Sequence, residues 1–343
     1  MKNIIFCADG TWNHPKQMDD GLPADTNVRK LYDAFVQDAT QVVLYDSGVG
    51  SGKPLLEHIF QGITGDGLLS KVMEGYRLIA SQYGDGDRIH IFGFSRGAYT
   101  ARSLAGLIAD CGLPGDSTAK DLNRLDAAAS AVMQCYRECD LAKREQSLET
   151  FKEQFGQRMV KIATVGVWDT VGALGIPDQF FDHIDDRIYG FLDTSLHPSF
   201  EAAFHAVSID EKRREFQPTL WTSPPAPGQI LEQVWFCGVH GDVGGGYPEC
   251  ELSDITLHWM STKAVFRGLL LNQDKIPAIR WNDALGVIHN SWSIVPWGLP
   301  EARKIPSGSV LASSVGMRQQ YEPNYTPRNL DERMGLMQFV KVI

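Results

Sequence analysis

Short apolar runs alternate with amphipathic stretches along most of the chain. Asn3 to Ala8, Gln41 to Tyr45, Ile89 to Phe94, Lys161 to Trp168 and Gln233 to Gly238 are each five to eight residues long and apolar on both faces. That pattern predicts buried strands of a parallel sheet rather than half-exposed antiparallel ones. Three- and four-residue spacing of apolar positions predicts helices between them: a short one over Asn27 to Phe35, a longer one within Leu55 to Ser81, and one from Leu252 into Leu271. Leu122, Leu125, Ala129, Val132, Met133 and Tyr136 recur at the same steps, so residues 115 to 157 read as a helical insertion. Alanine-rich Glu201 to Val207 is also expected to be helical. Residues 14 to 26, 217 to 229 and most of the chain beyond 290 are rich in Pro, Gly and polar residues and are expected to be loops.

One junction between these elements carries chemistry. The third run enters Gly93-Phe94-Ser95-Arg96-Gly97, and a small-residue helix follows with Ala98, Ala101, Ala105 and Ala109. Strand, GxSxG turn and helix in that order predict a nucleophile elbow. The turn would hold the serine Oγ clear of the sheet, and the flanking glycines would let strand and helix approach closely. A serine hydroxyl needs a base, and the base needs an orienting group. Downstream, Asp169 follows the fourth run and His240 the fifth, so serine, acid and base would share one edge of a parallel sheet. His205 is the alternative base. Asp242 is the alternative acid, although two residues from His240 is an awkward position for reaching its ring. An oxyanion hole would take one amide from Arg96, after the nucleophile, and one from Gly10 or Thr11, after the first run.

Composition narrows the partners. A net charge of −10 over 343 residues, with no basic tract, argues against nucleic acid. The N-terminus turns acidic after a few apolar residues, too soon for a signal peptide, and no apolar stretch of about 18 residues occurs. A cytoplasmic location is expected, or export by a signal-independent system. The six cysteines are scattered and expected to be reduced, and no metal or cofactor is expected. Gly48-Val49-Gly50-Ser51-Gly52-Lys53 imitates a phosphate loop, but Ser47 and Pro54 occupy two positions that such a loop needs filled otherwise.

IIFCADGTWN, GFSRGAYTARSLAGLI, VGVWDTVGALG and VWFCGVHGDVGGGYPE occur here in that order. With them the chain resembles the domain-of-unknown-function family 2235, which includes the catalytic domain of type VI secretion phospholipase effectors. The resemblance runs from the DGTWN segment to YEPNYTPRNL. It implies an α/β-hydrolase fold, a Ser-Asp-His site on Ser95, Asp169 and His240, and phospholipase A activity on glycerophospholipids. Such effectors typically carry a further membrane-docking module, which this chain is expected to lack.

The combined expectation is an α/β-hydrolase-like fold with a mostly parallel central sheet flanked by helices, lacking the first two strands of the usual fold. A single catalytic domain would span residues 1–343, with the helical insertion at 115–157 and an aromatic candidate lid at 173–200. The expected activity is serine carboxyl-ester hydrolysis on an acyl ester or phospholipid, with transient contact to a membrane surface and oligomeric state left open. A soluble ester or thioester substrate, or a non-catalytic binding role on a hydrolase scaffold, are the alternatives.

Overall fold

The computed structural model describes residues 1–10, 18–19, 21–47, 65–138, 140–172, 195–330 and 338–342. Eight strands form its central sheet: β1 (Asn3–Ala8), β2 (Gln41–Asp46), β3 (Arg88–Phe94), β4 (Ile162–Trp168), β5 (Ala202–Ser208), β6 (Ile230–Phe236), β7 (Val310–Ala312) and β8 (Gln338–Val340). Their spatial order is β2-β1-β3-β4-β5-β6-β7-β8, and every pairing is parallel. Order reverses between β1 and β3, which is where open α/β sheets place their sites. Strand β1 lies directly beside the serine-bearing strand β3, with Ala8 paired to Gly93. A separate two-stranded hairpin joins Met18–Asp19 to Leu22–Pro23.

Apolar residues on both faces of each strand give two cores. Ile4, Phe6 and Ala8 pack with α2 (Gly65–Gln82) and α3 (Arg96–Cys111) on one side. Ile5 and Cys7 face α1 (Asn27–Ala34) on the other, in the same core as residues of the helix Glu251–Phe266. Alternate side chains of one strand therefore serve opposite layers, as the pleat requires. The helical stretch after α3 is present as Leu122–Arg137 and Leu141–Phe155, and Leu125, Ala129, Val132 and Phe151 add to the first core.

Two expectations fail. Residues Ala202–Ser208 are a strand, not a helix, and all seven are buried. Alanine's helix propensity is small beside the burial of a central strand, where Ala203 and Ala206 face Val165 and Trp168. The chain beyond 290 is also not mostly loop at its end: β7 and β8 extend the sheet, with the helix Ser313–Tyr321 between them in sequence. Three-residue strands are too short to show periodicity. The candidate lid at 173–200 lies outside the described residues apart from its last six, 195–200, and the phosphate-loop lookalike at 48–53 lies outside them too.

Candidate active site

Strand β3 ends at Phe94, and Ser95 turns the chain at φ 59°, ψ −124° to cap α3. Among the described residues only Ser95 and Asp169 have a positive φ without being glycine. Each such residue costs on the order of 1–3 kcal/mol and tends to mark a functional site. The elbow is possible because its neighbours are small. A Cβ on Gly97 would lie 2.3 Å from the Ala8 carbonyl oxygen, and one on Gly93 would lie 2.5 Å from that of Gly97. Helix α3 thus rests directly on the end of β1. The Ser95 amide donates to the Trp168 carbonyl at 3.1 Å, which ties the elbow to the end of β4.

Asp169 follows Trp168 with φ 41° and no exposed surface. Its Oδ2 lies 2.6 Å from His240 Nδ1. His240 opens a short helix (His240–Gly244) just beyond β6, with its ring 4.6 Å from that of Phe94 and 5.0 Å from that of Phe216. The two downstream residues named from their spacing are therefore in contact, and Phe94 links them to the elbow. Ser95 is 8% exposed and His240 7%, whereas Asp169 is sealed.

Arg303 was not foreseen from the sequence. Fully buried, it donates to both Asp169 oxygens, Nη1 to Oδ1 at 2.6 Å and Nη2 to Oδ2 at 2.8 Å. It also donates to the carbonyls of Ser208 and Phe216, and the Ser208 amide donates to Asp169 Oδ1 at 2.9 Å. An arginine in a Pro-rich stretch reads as a surface residue, so only its contacts give it away. Burial alone would raise the Asp169 pKa. The Arg303 charge and the hydrogen bonds from His240 and Arg303 overcome it and hold the carboxyl far below the usual range. At His240, burial disfavours the imidazolium more than Asp169 favours it, so its pKa is lowered. The ring is thus neutral near pH 7 and able to take a proton.

A second buried carboxylate steadies the histidine. Glu211 Oε2 accepts the His240 amide at 3.2 Å, its carboxylate takes a bidentate pair from Arg213, and the Ser291 hydroxyl donates to it. Burial would raise the Glu211 pKa, but hydrogen bonds and charge from Arg213 bring it to about 2 from an ordinary 4.5. A depressed folded value gives stability that is complete above about 4.5 and lost as the pH falls towards 2. Glu211→Gln should remove up to about 3 kcal/mol at pH 7 and flatten the acid side of the stability curve. Urea denaturation at steps from pH 7 to pH 2.5 checks this, and equal slopes for both proteins would refute it.

The alternatives have other duties. His205 lies inside β5 with Nε2 accepting the Thr170 amide at 3.1 Å and Nδ1 3.3 Å from Gln233 Oε1, a satisfied core histidine. Asp242 pairs with His289, Oδ1 lying 2.5 Å from its Nδ1, and accepts the Val239 amide. The oxyanion positions are less uniform. Arg96 is the first residue of α3, directly after Ser95. Gly10 donates its amide to Asp9 Oδ1 at 2.7 Å, and Asp9 Oδ2 holds the hydroxyls of Thr26 and Tyr45. Thr11 lies outside the described residues. A cavity of about 560 Å³ is lined by Asp210, Glu211, Lys212 and Tyr325 among others, but not by Ser95, Asp169 or His240. Among the described residues no cluster could hold a metal ion, and no helix is long and apolar enough to cross a membrane.

Comparison with known proteins gives the chain a family. The chain is 29% identical over 244 residues to the uncharacterized protein YEL023C of Saccharomyces cerevisiae, a match covering 65% of this chain and 33% of that protein. An uncharacterized protein from Pseudomonas aeruginosa aligns in structure with 19% identity and a TM-score of 0.46, over 81% of this chain and 47% of that one. The Tle1 effector bound to the VgrG spike of the type 6 secretion system aligns with 19% identity and a TM-score of 0.39, over 71% of this chain and 51% of that one. The chain thus spans a third to a half of the length of these proteins. Residues 2–263 match the model of the type VI secretion phospholipase effector Tle1-like catalytic domain, which takes in Ser95, Asp169 and His240 but stops short of Arg303. The chain belongs to that family.

Proposed function

We propose that the protein is a serine carboxyl-ester hydrolase of lipolytic, phospholipase A-like type, with residues 1–343 acting as one catalytic domain. The observation that carries this reading is the strained Ser95 elbow beside a buried Asp169–His240 pair. Ser95 Oγ attacks the acyl carbonyl while His240 Nε2 takes its proton. Asp169 holds Nδ1–H, fixes the tautomer and stabilises the imidazolium as it forms. The Arg96 amide meets the developing oxyanion, and Gly10 joins it only if its amide leaves Asp9. The alcohol departs with the proton from His240. Water, activated by the same imidazole, then releases the acid from Ser95. Membership of the Tle1-like family supports a phospholipid as the acyl donor.

A fluorophosphonate probe tests the chemistry. Wild-type protein should be labelled at Ser95, and Ser95→Ala should be unlabelled and at least about a thousandfold slower on p-nitrophenyl esters. An unlabelled wild type would refute the hydrolase. A panel of phospholipids and soluble esters then tests the lipolytic part: turnover confined to short soluble esters or thioesters would assign the alternative substrate class.

A further inference from the structure

Residues 292 to 299 (Trp-Ser-Ile-Val-Pro-Trp-Gly-Leu) run along the surface beside the site. Ile294, Val295 and Leu299 are 64, 78 and 82% exposed. Three large aliphatic side chains this bare within six residues form a local apolar patch rather than scattered surface residues. The segment is not loose. Just before it, Ser291 donates to Glu211, the carboxylate that holds the His240 amide, and just after it, the Glu301 amide donates to the Lys212 carbonyl at 2.9 Å. In the middle, Trp297 meets Phe216 edge-on at 5.6 Å, and Phe216 meets the His240 ring. The exposed tips and the imidazole therefore belong to one packed unit.

We propose that this ridge docks the protein on an anionic phospholipid bilayer, with the site opening facing the lipid. The inference rests on the lipolytic reading of that site. Two features single out a bilayer as occupant. The exposed aliphatic residues flank a half-buried tryptophan in the chain, a pairing that suits apolar insertion with an aromatic at headgroup depth. Around them lie the exposed Lys212, Arg214 and Lys304, on a chain whose net charge is −10. Glu301, 3.9 Å from Arg214, offsets part of that charge. A positive fringe on an acidic protein matches anionic headgroups and not the protein's own average surface.

The test uses the full chain and two readouts. In the Ser95→Ala background, which leaves vesicles intact, sedimentation should show binding to phosphatidylglycerol/phosphatidylcholine vesicles, weaker to phosphatidylcholine alone and falling with salt. Adding Val295→Asp and Leu299→Asp should reduce binding at least about tenfold. With Ser95 intact, the same two substitutions should leave p-nitrophenyl butyrate turnover and the melting temperature within error of wild type. Unchanged vesicle binding in the aspartate variant, or none in its parent, would overturn the proposal even if the esterase is active. Self-association abolished by the substitutions, without vesicle binding, would assign the ridge to a second copy and likewise overturn it. Vesicle binding without any ester turnover would refute the hydrolase and leave the docking surface standing.

Discussion

Asp169→Asn is expected to lower kcat on a soluble ester about ten-thousandfold, the size of effect seen when a triad aspartate loses its charge but keeps its shape. The reason lies in the hydrogen bonds around the carboxylate. Ser208, both Arg303 nitrogens and His240 Nδ1 all approach its oxygens, so every neighbour at the site is a donor or can act as one. An amide must turn its NH2 towards one of them. Facing His240, it forces the Nδ1 lone pair inwards and puts the proton on Nε2, where Ser95 needs a base. Facing Arg303, it sets donor against donor and leaves a sealed guanidinium uncompensated. Either way the fold should lose about 3–5 kcal/mol, as is typical when one partner of a buried ion pair is removed. Steady-state kinetics and urea denaturation read the two effects separately. A decrease in kcat smaller than tenfold would remove Asp169 from the mechanism.

The second large effect is expected from Arg303→Met, which fills a similar volume without charge or donors. Stability should fall by a comparable 3–5 kcal/mol, roughly, because Asp169 is then buried opposite an imidazole alone. The kinetic signature is more telling than the loss. In the native site the Arg303 charge offsets part of that of Asp169, so the carboxylate holds His240 in position and favours its protonated form less than it would alone. Remove Arg303 and the same carboxylate favours the imidazolium, so the His240 pKa rises. The base form should then appear only at higher pH, and the acid limb of kcat/KM should move up by about one unit. Arg303→Lys keeps the charge and should restore most of the profile while losing the bidentate geometry. Combining Arg303→Met with Asp169→Asn should cost less stability than the sum of the single changes, since no buried charge is left unpaired. An acid limb that stays in place in Arg303→Met would limit the arginine to a structural role.

What the sequence allowed a reader to see follows from how local each feature is. Strands β1, β2, β3, β4 and β6 announce themselves as contiguous apolar runs, because a strand buried on both faces needs no long-range information to be recognised. The order of Ser95, Asp169 and His240 came from chain position at strand ends, and in a parallel sheet those ends share one edge. Strand β5 hid behind its alanines: their small volume suits a crowded central strand, yet the same residues favour a helix when taken alone. The glycines flanking Ser95 were legible as turn residues, but what makes Gly97 necessary is the approach of Ala8 and Asp9, more than 80 positions away. Arg303 had no local signature. Its role exists only where residues 169, 208 and 216 converge, a coincidence that one-dimensional patterning does not encode.

That convergence sets an order of events during synthesis. The Asp169–Arg303 pair spans 134 positions, so a chain emerging N-terminus first presents serine, acid and histidine well before the cation that neutralises the acid. Until residue 303 emerges, the Asp169 carboxyl would be buried without that cation or would remain in water with its loop unsettled, and neither state holds the imidazole as the finished site does. The Asp169–His240 pair on which the proposed chemistry depends is therefore incomplete on the nascent chain until Arg303 has emerged and docked beside Ser208 and Phe216.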